Sequence, residues 1–380
     1  YSRDFPESRR RLVLIAAEGA IIPPKLQHDI PILDFDLPAR DELREVYLGL
    51  ANSIEENVEQ PFDEEEVASL CTLGAGMTEP EFELACAKAI ALKRSDWPSL
   101  EYDHFSRVLA ESKTEIVRRS DVLELMQAED PDNIGGLDDL KVWIKRRKKV
   151  FSPAAREAGV DAPRGVVLIG PPGTGKSMCA KAIAAELGIP LIKFDISRCF
   201  AGIVGQTEGK VRSALKQVEA MAPCVVLLDE IDKAGIDPRS GGGDSGVGKR
   251  VMGSILTFMQ ESNASMFWTL TANRPDSLPP ELLRKGRMDE VFSVLPPNAT
   301  ERKEIIRIHL AKRKQKMIVR GLDALIAASK GYVGAEIEAA IKEACVDAYV
   351  QGARVNGKTV MAQLACMKPI SIAFKEDFDR

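Results

Sequence analysis

The chain has 380 residues, of which 45% are hydrophobic and 29% are charged, and its net charge is -5. This length allows two or three domains with a substantial core, and the composition is typical of a soluble globular protein. A mildly acidic chain has no overall attraction to nucleic acid or to anionic lipid, and no apolar run approaches the ~18 residues of a membrane span. Composition therefore excludes a membrane-spanning protein and a generally basic nucleic-acid binder.

The cysteines and histidines do not form a recognisable metal-binding pattern. The seven cysteines are scattered without a Cys-x-x-Cys pair, and several lie in apolar runs, as expected for buried thiols of a reducing compartment. The three histidines are far apart, so a histidine-based metal site is not predicted. Because Tyr1 is not an initiator residue, we expect the sequence to begin inside a longer chain.

Periodicity and composition divide the chain into four blocks, at residues 1–95, 96–130, 131–298 and 299–380. The first block lacks a phosphate loop and contains predicted strands at 11–17 and 32–37, followed by predicted helices at 40–57, 63–74 and 78–93. The second block is charged and mostly helical, which predicts a linker. Its candidate contact positions are Leu109, Ile116, Val117, Val122 and Leu125.

The third block alternates short apolar strands with helical segments, a pattern that predicts an α/β fold. The predicted strands span 166–169, 191–194, 225–228, 267–271 and 291–295. Short apolar strands of this kind are typical of a parallel sheet covered on both faces. The fourth block is helical, and Asn298 with Glu301 forms a capping-box pattern at its start. We therefore predict a five-stranded parallel sheet followed by a helical block.

Residues 170–177 read Gly-Pro-Pro-Gly-Thr-Gly-Lys-Ser, directly after an apolar strand and before a helix. Glycine amides in such a loop close around phosphates, and the helix that follows adds its positive end. The Lys176 ammonium is expected to contact the β- and γ-phosphates of ATP, and the Ser177 hydroxyl is expected to bind Mg²⁺.

A second motif supplies carboxylates at the end of another apolar strand. Residues 225–228 lead directly into Asp229 and Glu230. In open α/β sheets ligands bind at the carboxyl ends of the strands, so Asp229 is predicted to hold Mg²⁺ and Glu230 to orient the attacking water. The next strand leads to Asn273, which is predicted to reach the γ-phosphate but is also compatible with a simple turn residue.

Two arginines, Arg284 and Arg287, follow in the sequence Arg-Lys-Gly-Arg. Guanidinium groups stabilise the charge that develops on a transferring phosphate, although spacing alone also fits ordinary surface charges.

Together, the motifs GPPGTGKS, LLDEID, TAN and RKGRMD resemble those of the AAA family of ATPases in the narrow sense, over roughly residues 131–350. The resemblance implies a P-loop NTPase core with an α-helical lid, and an assembly into rings, usually hexamers. It implies that Asn273 is a polar sensor and that Arg284 and Arg287 are arginine fingers that reach the ATP of a neighbouring subunit. It also implies further nucleotide contacts at Ile134, Gly135, Pro172, Gly173, Thr174, Gly175, Met178, Ile305, His309, Gly334 and Ala335.

The layout of the whole chain is similar to a cyanobacterial and plastid family of AAA proteins of poorly defined function. In that family a degenerate, catalytically silent first AAA module precedes an active second one. The resemblance implies that residues 1–95 are the C-terminal part and lid of the first module, and that its upstream part lies outside this sequence. It also implies a plastid stroma or cytoplasmic location.

Three segments could contact a macromolecular client. The segment from Phe200 to Glu208 occupies the place of the first pore loop, but Ile203 stands at the aromatic position, so both threading and a plain connecting loop remain open. The glycine-rich segment 240–248 lies at the place of a second pore loop and is equally undecided. The basic cluster around Trp143 could bind nucleic acid, be a solvated helix face, or meet an acidic neighbour; its members are Lys141, Lys145, Arg146, Arg147, Lys148 and Lys149.

The sequence therefore predicts a Mg²⁺-dependent ATPase that assembles into a homo-oligomeric ring and remodels a protein client. The alternative is an ATP-gated binding protein or scaffold, acting on nucleic acid. The silent first module and the missing pore-loop aromatic favour this alternative.

Overall fold

The computed structural model describes residues 37–54, 61–92, 101–120, 122–130, 133–151, 155, 158–199, 207–233, 245–279, 282, 287–316 and 321–373. The predicted strand at 11–17 and almost all of that at 32–37 lie outside these residues, as do Arg284, residues 200–206 and residues 234–244. Among the helices that are described, none is long and apolar enough to cross a membrane.

Four helices form the first bundle. They are α1 (Arg40–Ile54), α2 (Glu64–Gly74), α3 (Glu79–Leu92) and α4 (Tyr102–Arg119). The Asp63 side chain caps α2 in a capping box with Glu66, which explains where this helix begins. Aromatic rings fill the core of the bundle, with the ring centroids of Phe62 and Phe105 5.3 Å apart. The three helices predicted in the first block are therefore present with nearly the predicted bounds.

A six-stranded sheet forms the centre of the molecule, in the order β1-β3-β4-β5-β2-β6. Its strands are β1 (Leu123–Met126), β2 (Gly165–Ile169), β3 (Leu191–Phe194), β4 (Cys224–Leu228), β5 (Met266–Ala272) and β6 (Glu290–Ser293). Strands β2 to β6 are parallel, which confirms the predicted parallel sheet. Helices on both faces bury β2 and β4 almost completely.

The sheet contains one strand more than the sequence predicted. Strand β1 pairs antiparallel with β3, with Leu123 opposite Phe194. Val122 and Leu125 were expected to make helical contacts, but Val122 immediately precedes this strand and Leu125 lies within it. The segment that we interpreted as a helical linker therefore ends as an edge strand of the sheet.

Further helices surround the sheet: α5 (Asp138–Val150), α6 (Lys176–Leu187), α7 (Ile196–Cys199), α8 (Thr207–Ala220) and α9 (Ser245–Glu261). Gly188 ends α6 in the left-handed conformation, as its position predicted.

The second bundle is the lid, formed by α10 (Ala299–Lys312), α11 (Leu322–Ala328), α12 (Gly334–Val350), α13 (Gly357–Ala365) and α14 (Ile370–Ala373). The Asn298 side chain accepts hydrogen bonds from the amides of Thr300 and Glu301, which confirms the predicted capping box of α10.

Candidate nucleotide-binding site

The loop from Gly170 to Gly175 joins β2 to α6 at the carboxyl end of the parallel sheet. Gly173 has φ +80° and Gly175 has φ +101°, a region that side chains with a Cβ atom rarely adopt. These two glycines therefore allow the loop to turn sharply into the first turn of α6. The Thr174 hydroxyl donates to the Pro171 carbonyl at 2.9 Å and braces the turn.

The Lys176 ammonium lies at the centre of the site, and the residue is only 7% exposed. It donates to the carbonyl oxygens of Gly170 at 2.6 Å and Pro171 at 2.8 Å, and to Asn273 Oδ1 at 3.0 Å. Burial lowers the pKa of Lys176 from its ordinary value, although the neighbouring Asp232, Asp229 and Glu230 act against this shift. An ammonium held by neutral oxygens at a buried position is suited to neutralise phosphate charge.

Asp229 connects the loop to the two neighbouring strands. Its Oδ1 and Oδ2 atoms accept from the Ser177 hydroxyl at 3.0 and 3.1 Å. The Thr271 hydroxyl donates to Asp229 Oδ1 at 2.6 Å and accepts from the Glu230 amide at 2.8 Å. The hydroxyl of Ser177 and the carboxylate of Asp229 are oxygen ligands of the type that Mg²⁺ prefers, so the residues fit this ion.

Glu230 lies at the outer side of the same strand end. Its backbone is in the left-handed region, with φ +51°, which is uncommon for a side chain with a Cβ atom. Its carboxylate is partly exposed and accepts from the Lys233 ammonium at 2.7 Å. The Glu230 amide thus joins the Asp229 network through Thr271, while its carboxylate pairs with Lys233.

Asn273 is fixed from two sides. Its amide nitrogen Nδ2 donates to Asp232 Oδ2 at 3.0 Å, while its Oδ1 accepts from Lys176. Two charged partners therefore determine the orientation of the Asn273 amide. The structure brings together Lys176, Ser177, Asp229 and Asn273, although 97 positions of sequence separate Lys176 from Asn273.

The lid contacts the phosphate loop directly. The Ala335 amide, in the first turn of α12, donates to the Gly173 carbonyl at 3.1 Å. A Cβ atom on Gly173 would lie 2.9 Å from Val333 Cγ2, so the lid occupies the space that the glycine leaves. Gly334 also lies against this carbonyl. Both lid positions that the resemblance implied, Gly334 and Ala335, therefore lie beside the loop.

The segment before α5 packs against α10 of the lid. A Cβ atom on Gly135 would lie 2.8 Å from Ile305 Cγ1, and the Gly136 amide donates to Glu304 Oε2 at 3.0 Å. Ile134 and the outer face of α10 line an adjacent cleft of about 660 Å³. The structure thus brings Ile134, Gly135 and Ile305 together.

His309 is mostly buried on the lid side of this contact, and this burial lowers the pKa of its imidazole. Its Nδ1 atom lies 3.5 Å from Glu338 Oε1, and the same carboxylate oxygen accepts from the Arg313 guanidinium at 3.0 Å. Glu338 is therefore shared between a histidine and an arginine.

Three predicted site residues remain in the described part of the chain: Arg287, Pro172 and Met178. Arg287 is partly buried, and with the Gln260 amide oriented so that its oxygen faces the guanidinium, Arg287 Nε donates to it at 2.8 Å. Pro172 is exposed in the phosphate loop, and Met178 is partly buried in the first turn of α6.

The basic cluster around Trp143 is partly used inside the molecule. The Arg147 guanidinium stacks on the Trp143 ring at 4.9 Å, and the Lys148 ammonium lies 3.8 Å from Glu186. Lys141 donates to the Ile134 carbonyl at 2.6 Å. These contacts favour a structural interpretation for half of the cluster over binding to nucleic acid.

Comparisons with known proteins agree with this geometry. The profile of the ATPase family associated with various cellular activities (AAA) matches residues 166–295. The chain is 34% identical to the uncharacterised AAA domain-containing protein ycf46 of Guillardia theta, over 98% of this chain and 72% of that protein. The chain belongs to the AAA family of ATPases.

Two further relatives match a little over half of this chain. A cell division cycle protein 48 homolog of Archaeoglobus fulgidus is 37% identical over 56% of this chain and 30% of its own length. The ATP-dependent zinc metalloprotease FtsH 3 of a Synechocystis strain is 33% identical over 56% of this chain and 35% of its own length. Similarity over almost the whole chain, as with the ycf46 protein, therefore includes the first bundle as well as the AAA core.

Two residues of the AAA site were missed by the sequence reasoning. Thr271 bridges Asp229 and Glu230, and Lys193 of β3 lies 3.9 Å from Asp229. Lys193 is the one polar residue of β3, and Thr271 is one of two threonines in the otherwise apolar β5, which is the signal that could have identified them. Their contact with Asp229 depends on which strands are neighbours in the sheet, and the motifs do not carry that information.

Proposed function

We propose that this AAA protein is a Mg²⁺-dependent ATPase that assembles into a homo-oligomeric ring, a hexamer by analogy with its family, and remodels a protein client. The observation that carries the proposal is the hydrogen-bonded set of Lys176, Ser177, Asp229 and Asn273 at the carboxyl end of the parallel sheet. Family membership supports ATP as the nucleotide. Similarity to the ycf46 proteins supports a location in the plastid stroma or cytoplasm.

In this proposal each residue acts on the phosphates or on the attacking water. Lys176 exchanges its carbonyl partners for phosphate oxygens, and the loop amides around Gly173 and Gly175 hold the phosphates in place. Mg²⁺, held by Ser177 and Asp229, neutralises the charge on the β- and γ-phosphates when it is bound. Positioning and electrostatics then supply most of the rate enhancement.

Glu230 would polarise and orient the water, since a partly exposed carboxylate beside the phosphates can accept its proton. This role requires the Glu230 carboxylate to leave Lys233. The salt bridge between them is a weak one, because the lysine is exposed and the carboxylate is partly exposed. Asn273 would contact the γ-phosphate through its side-chain amide. Arg284 and Arg287 would act on the ATP of a neighbouring subunit.

The test is ATP hydrolysis and ATP binding by the purified chain and two variants. Lys176→Ala is expected to abolish productive ATP binding, and Glu230→Gln is expected to bind ATP but hydrolyse it at least about a hundredfold more slowly. Normal turnover by Lys176→Ala would contradict the site, and undiminished turnover by Glu230→Gln would remove Glu230 from the mechanism.

The ring requires a separate measurement. If the arginines act between subunits, activity per subunit rises with protein concentration. Separately, light scattering of the Glu230→Gln variant in ATP gives the mass of the ring. A flat activity profile from a proven monomer would contradict the proposal. Stimulation of ATPase activity by an unfolded polypeptide supports remodelling, whereas stimulation by DNA or RNA alone would favour the scaffold alternative.

A further inference from the structure

Lys193 places a third cation near the phosphate site, in addition to Lys176 and Lys233. It lies on β3, where it is paired in register with Leu227 of β4. Side chains alternate along a strand, so Lys193 is on the same face of the sheet as Asp229, two positions after Leu227. The Lys193 ammonium lies 3.9 Å from Asp229 Oδ2, and both side chains are mostly buried.

A second carboxylate lies near the same lysine. Asp195 follows β3, and its side chain accepts from the Ser197 amide at 3.1 Å and from Arg198 Nε at 3.2 Å. Burial alone would raise the pKa of Asp195. The hydrogen bonds from Ser197 and from the Arg198 amide, together with the Arg198 guanidinium and the Lys193 ammonium, hold this pKa below its ordinary value. Lys193 is therefore an electrostatic neighbour of both Asp229 and Asp195.

The charges around the site determine how the Lys193 ammonium affects nucleotide binding. Asp229, Glu230 and Asp232 are all close enough to act on the Lys176 ammonium, so three carboxylates are near the place where we propose that phosphates bind. Without a metal ion, carboxylates repel phosphate oxygens, and a nearby ammonium reduces this repulsion. With Mg²⁺ bound by Asp229, the same ammonium repels the metal ion.

We propose that Lys193 is a built-in cation of the nucleotide site that makes nucleotide binding less dependent on Mg²⁺. The proposal rests on the proposed function, because it needs phosphates and Mg²⁺ at Asp229. Lys193 acts through Asp229 and needs no direct contact with the nucleotide, so it is a positioning residue and not a catalytic one. It strengthens nucleotide binding without the metal ion and weakens the contribution of the metal ion when it is present.

The test measures binding and requires no turnover. ADP, which the site does not hydrolyse, is titrated by calorimetry in Mg²⁺ and in EDTA. The dissociation constant in EDTA divided by that in Mg²⁺ gives the coupling between metal and nucleotide. Lys193→Met is expected to raise this ratio about three- to tenfold, because one nearby positive charge is lost. Lys193→Arg keeps the charge and is expected to leave the ratio near that of the unchanged chain.

Two further variants separate this effect from simple damage. Lys330→Met removes an exposed charge in the lid and should leave the ratio unchanged. Asp195→Asn keeps an oxygen that can accept from the Ser197 amide but removes a negative charge near Lys193, so it should lower the ratio. A structural defect would weaken binding in both conditions and would not produce shifts of opposite sign.

The outcomes are distinct. No ADP binding by the unchanged chain in either condition would contradict the proposed function and this proposal with it. Binding by the unchanged chain with the same ratio in Lys193→Met would overturn the role of Lys193 alone. Failure of Lys193→Arg to preserve the ratio would likewise contradict a role based on charge.

Discussion

The two helical bundles contact opposite ends of the same parallel sheet. The first bundle lies at the start of β4: the Arg40 guanidinium donates to the Ala222 carbonyl at 3.2 Å, and Lys113 is an electrostatic neighbour of Cys224. The lid lies at the other end, where the Ala335 amide donates to the Gly173 carbonyl. Since nucleotides bind at the carboxyl ends of parallel strands, this contact places the lid beside the proposed nucleotide site.

The cores of the two bundles also differ. The core of the first bundle is rich in aromatic rings, with Tyr47 and Phe105 in an edge-to-face contact at 6.0 Å. The lid contains a buried arginine, Arg302, which donates to the carbonyls of Pro297 and Ile326 at 2.9 to 3.2 Å. A ligand shifts the conformation of the elements with which it interacts differently in two states, and the lid contacts the phosphate loop through Ala335. We infer that the first bundle is an anchor and the lid is the moving part.

The largest expected effects come from removing the central side chain of each bundle. Phe105→Ala should lower the free energy of unfolding by about 3–5 kcal/mol, because a fully buried ring is lost, and should leave ADP affinity unchanged. Arg302→Met should cost about 2–4 kcal/mol, because buried carbonyls lose their donor, and should also weaken ADP binding through α10.

Chemical unfolding and ADP titration of both variants provide the measurement. Similar losses of ADP affinity in Phe105→Ala and Arg302→Met would break the distinction between anchor and moving part.

A set of glycine-to-alanine changes sharpens the comparison, because three glycines share a positive φ but differ in their neighbours. Gly173→Ala would press on Val333 of the lid, and its strain of about 1–3 kcal/mol should weaken ADP binding about tenfold or more. Gly76→Ala would overlap Met221, so it should lower stability by about 2–3 kcal/mol while sparing ADP affinity.

Gly188→Ala is the matched control, because nothing lies within 4 Å of the position that its new Cβ atom would take and only the backbone cost of about 1–2 kcal/mol remains. The comparison would fail if Gly76→Ala reduced ADP affinity as much as Gly173→Ala does.

Local signals explain which parts of the fold could be predicted. The bounds of α2 and α10 follow from capping residues next to periodic apolar positions, and these operate within a few residues of sequence. Strand β1 was missed because Leu123–Met126 is short and follows the long charged helix α4. Its strand identity comes from pairing with β3, which lies about seventy residues away in sequence.

The same reasoning applies to the site. Lys176, Ser177 and Asp229 belong to motifs whose chemistry is local, so their meeting could be predicted from a parallel sheet alone. Thr271 and Lys193 contact Asp229 from the strands on either side, and their roles required the strand order and register. The lid contact of Gly173 likewise depended on how the bundle docks.

The smallest expected effect concerns Lys113, which is 6% exposed where the first bundle meets β4. Burial lowers the pKa of Lys113 from 10.5 to about 8. The nearby Arg40 guanidinium lowers this pKa further, whereas Cys224 raises it. Between these two values the unfolded chain binds more protons than the folded chain, so this lysine makes stability rise with pH above about 8. Below about pH 8 the cost of burying the charged form is fully present.

Lys113→Met should therefore stabilise the protein by about 1–2 kcal/mol at pH 7, and this advantage should shrink as the pH rises towards 9. Chemical unfolding of both proteins at pH 7, 8 and 9 gives the difference directly, and Lys330→Met, which removes an exposed charge, should show no such trend. ADP affinity should be the same in all three proteins, because the anchor lies at the opposite end of the sheet from the phosphate loop. A destabilised Lys113→Met protein at pH 7 would mean that the ammonium joins the two parts of the molecule through a favourable interaction, and the first bundle would then be attached to the core by charge as well as by packing.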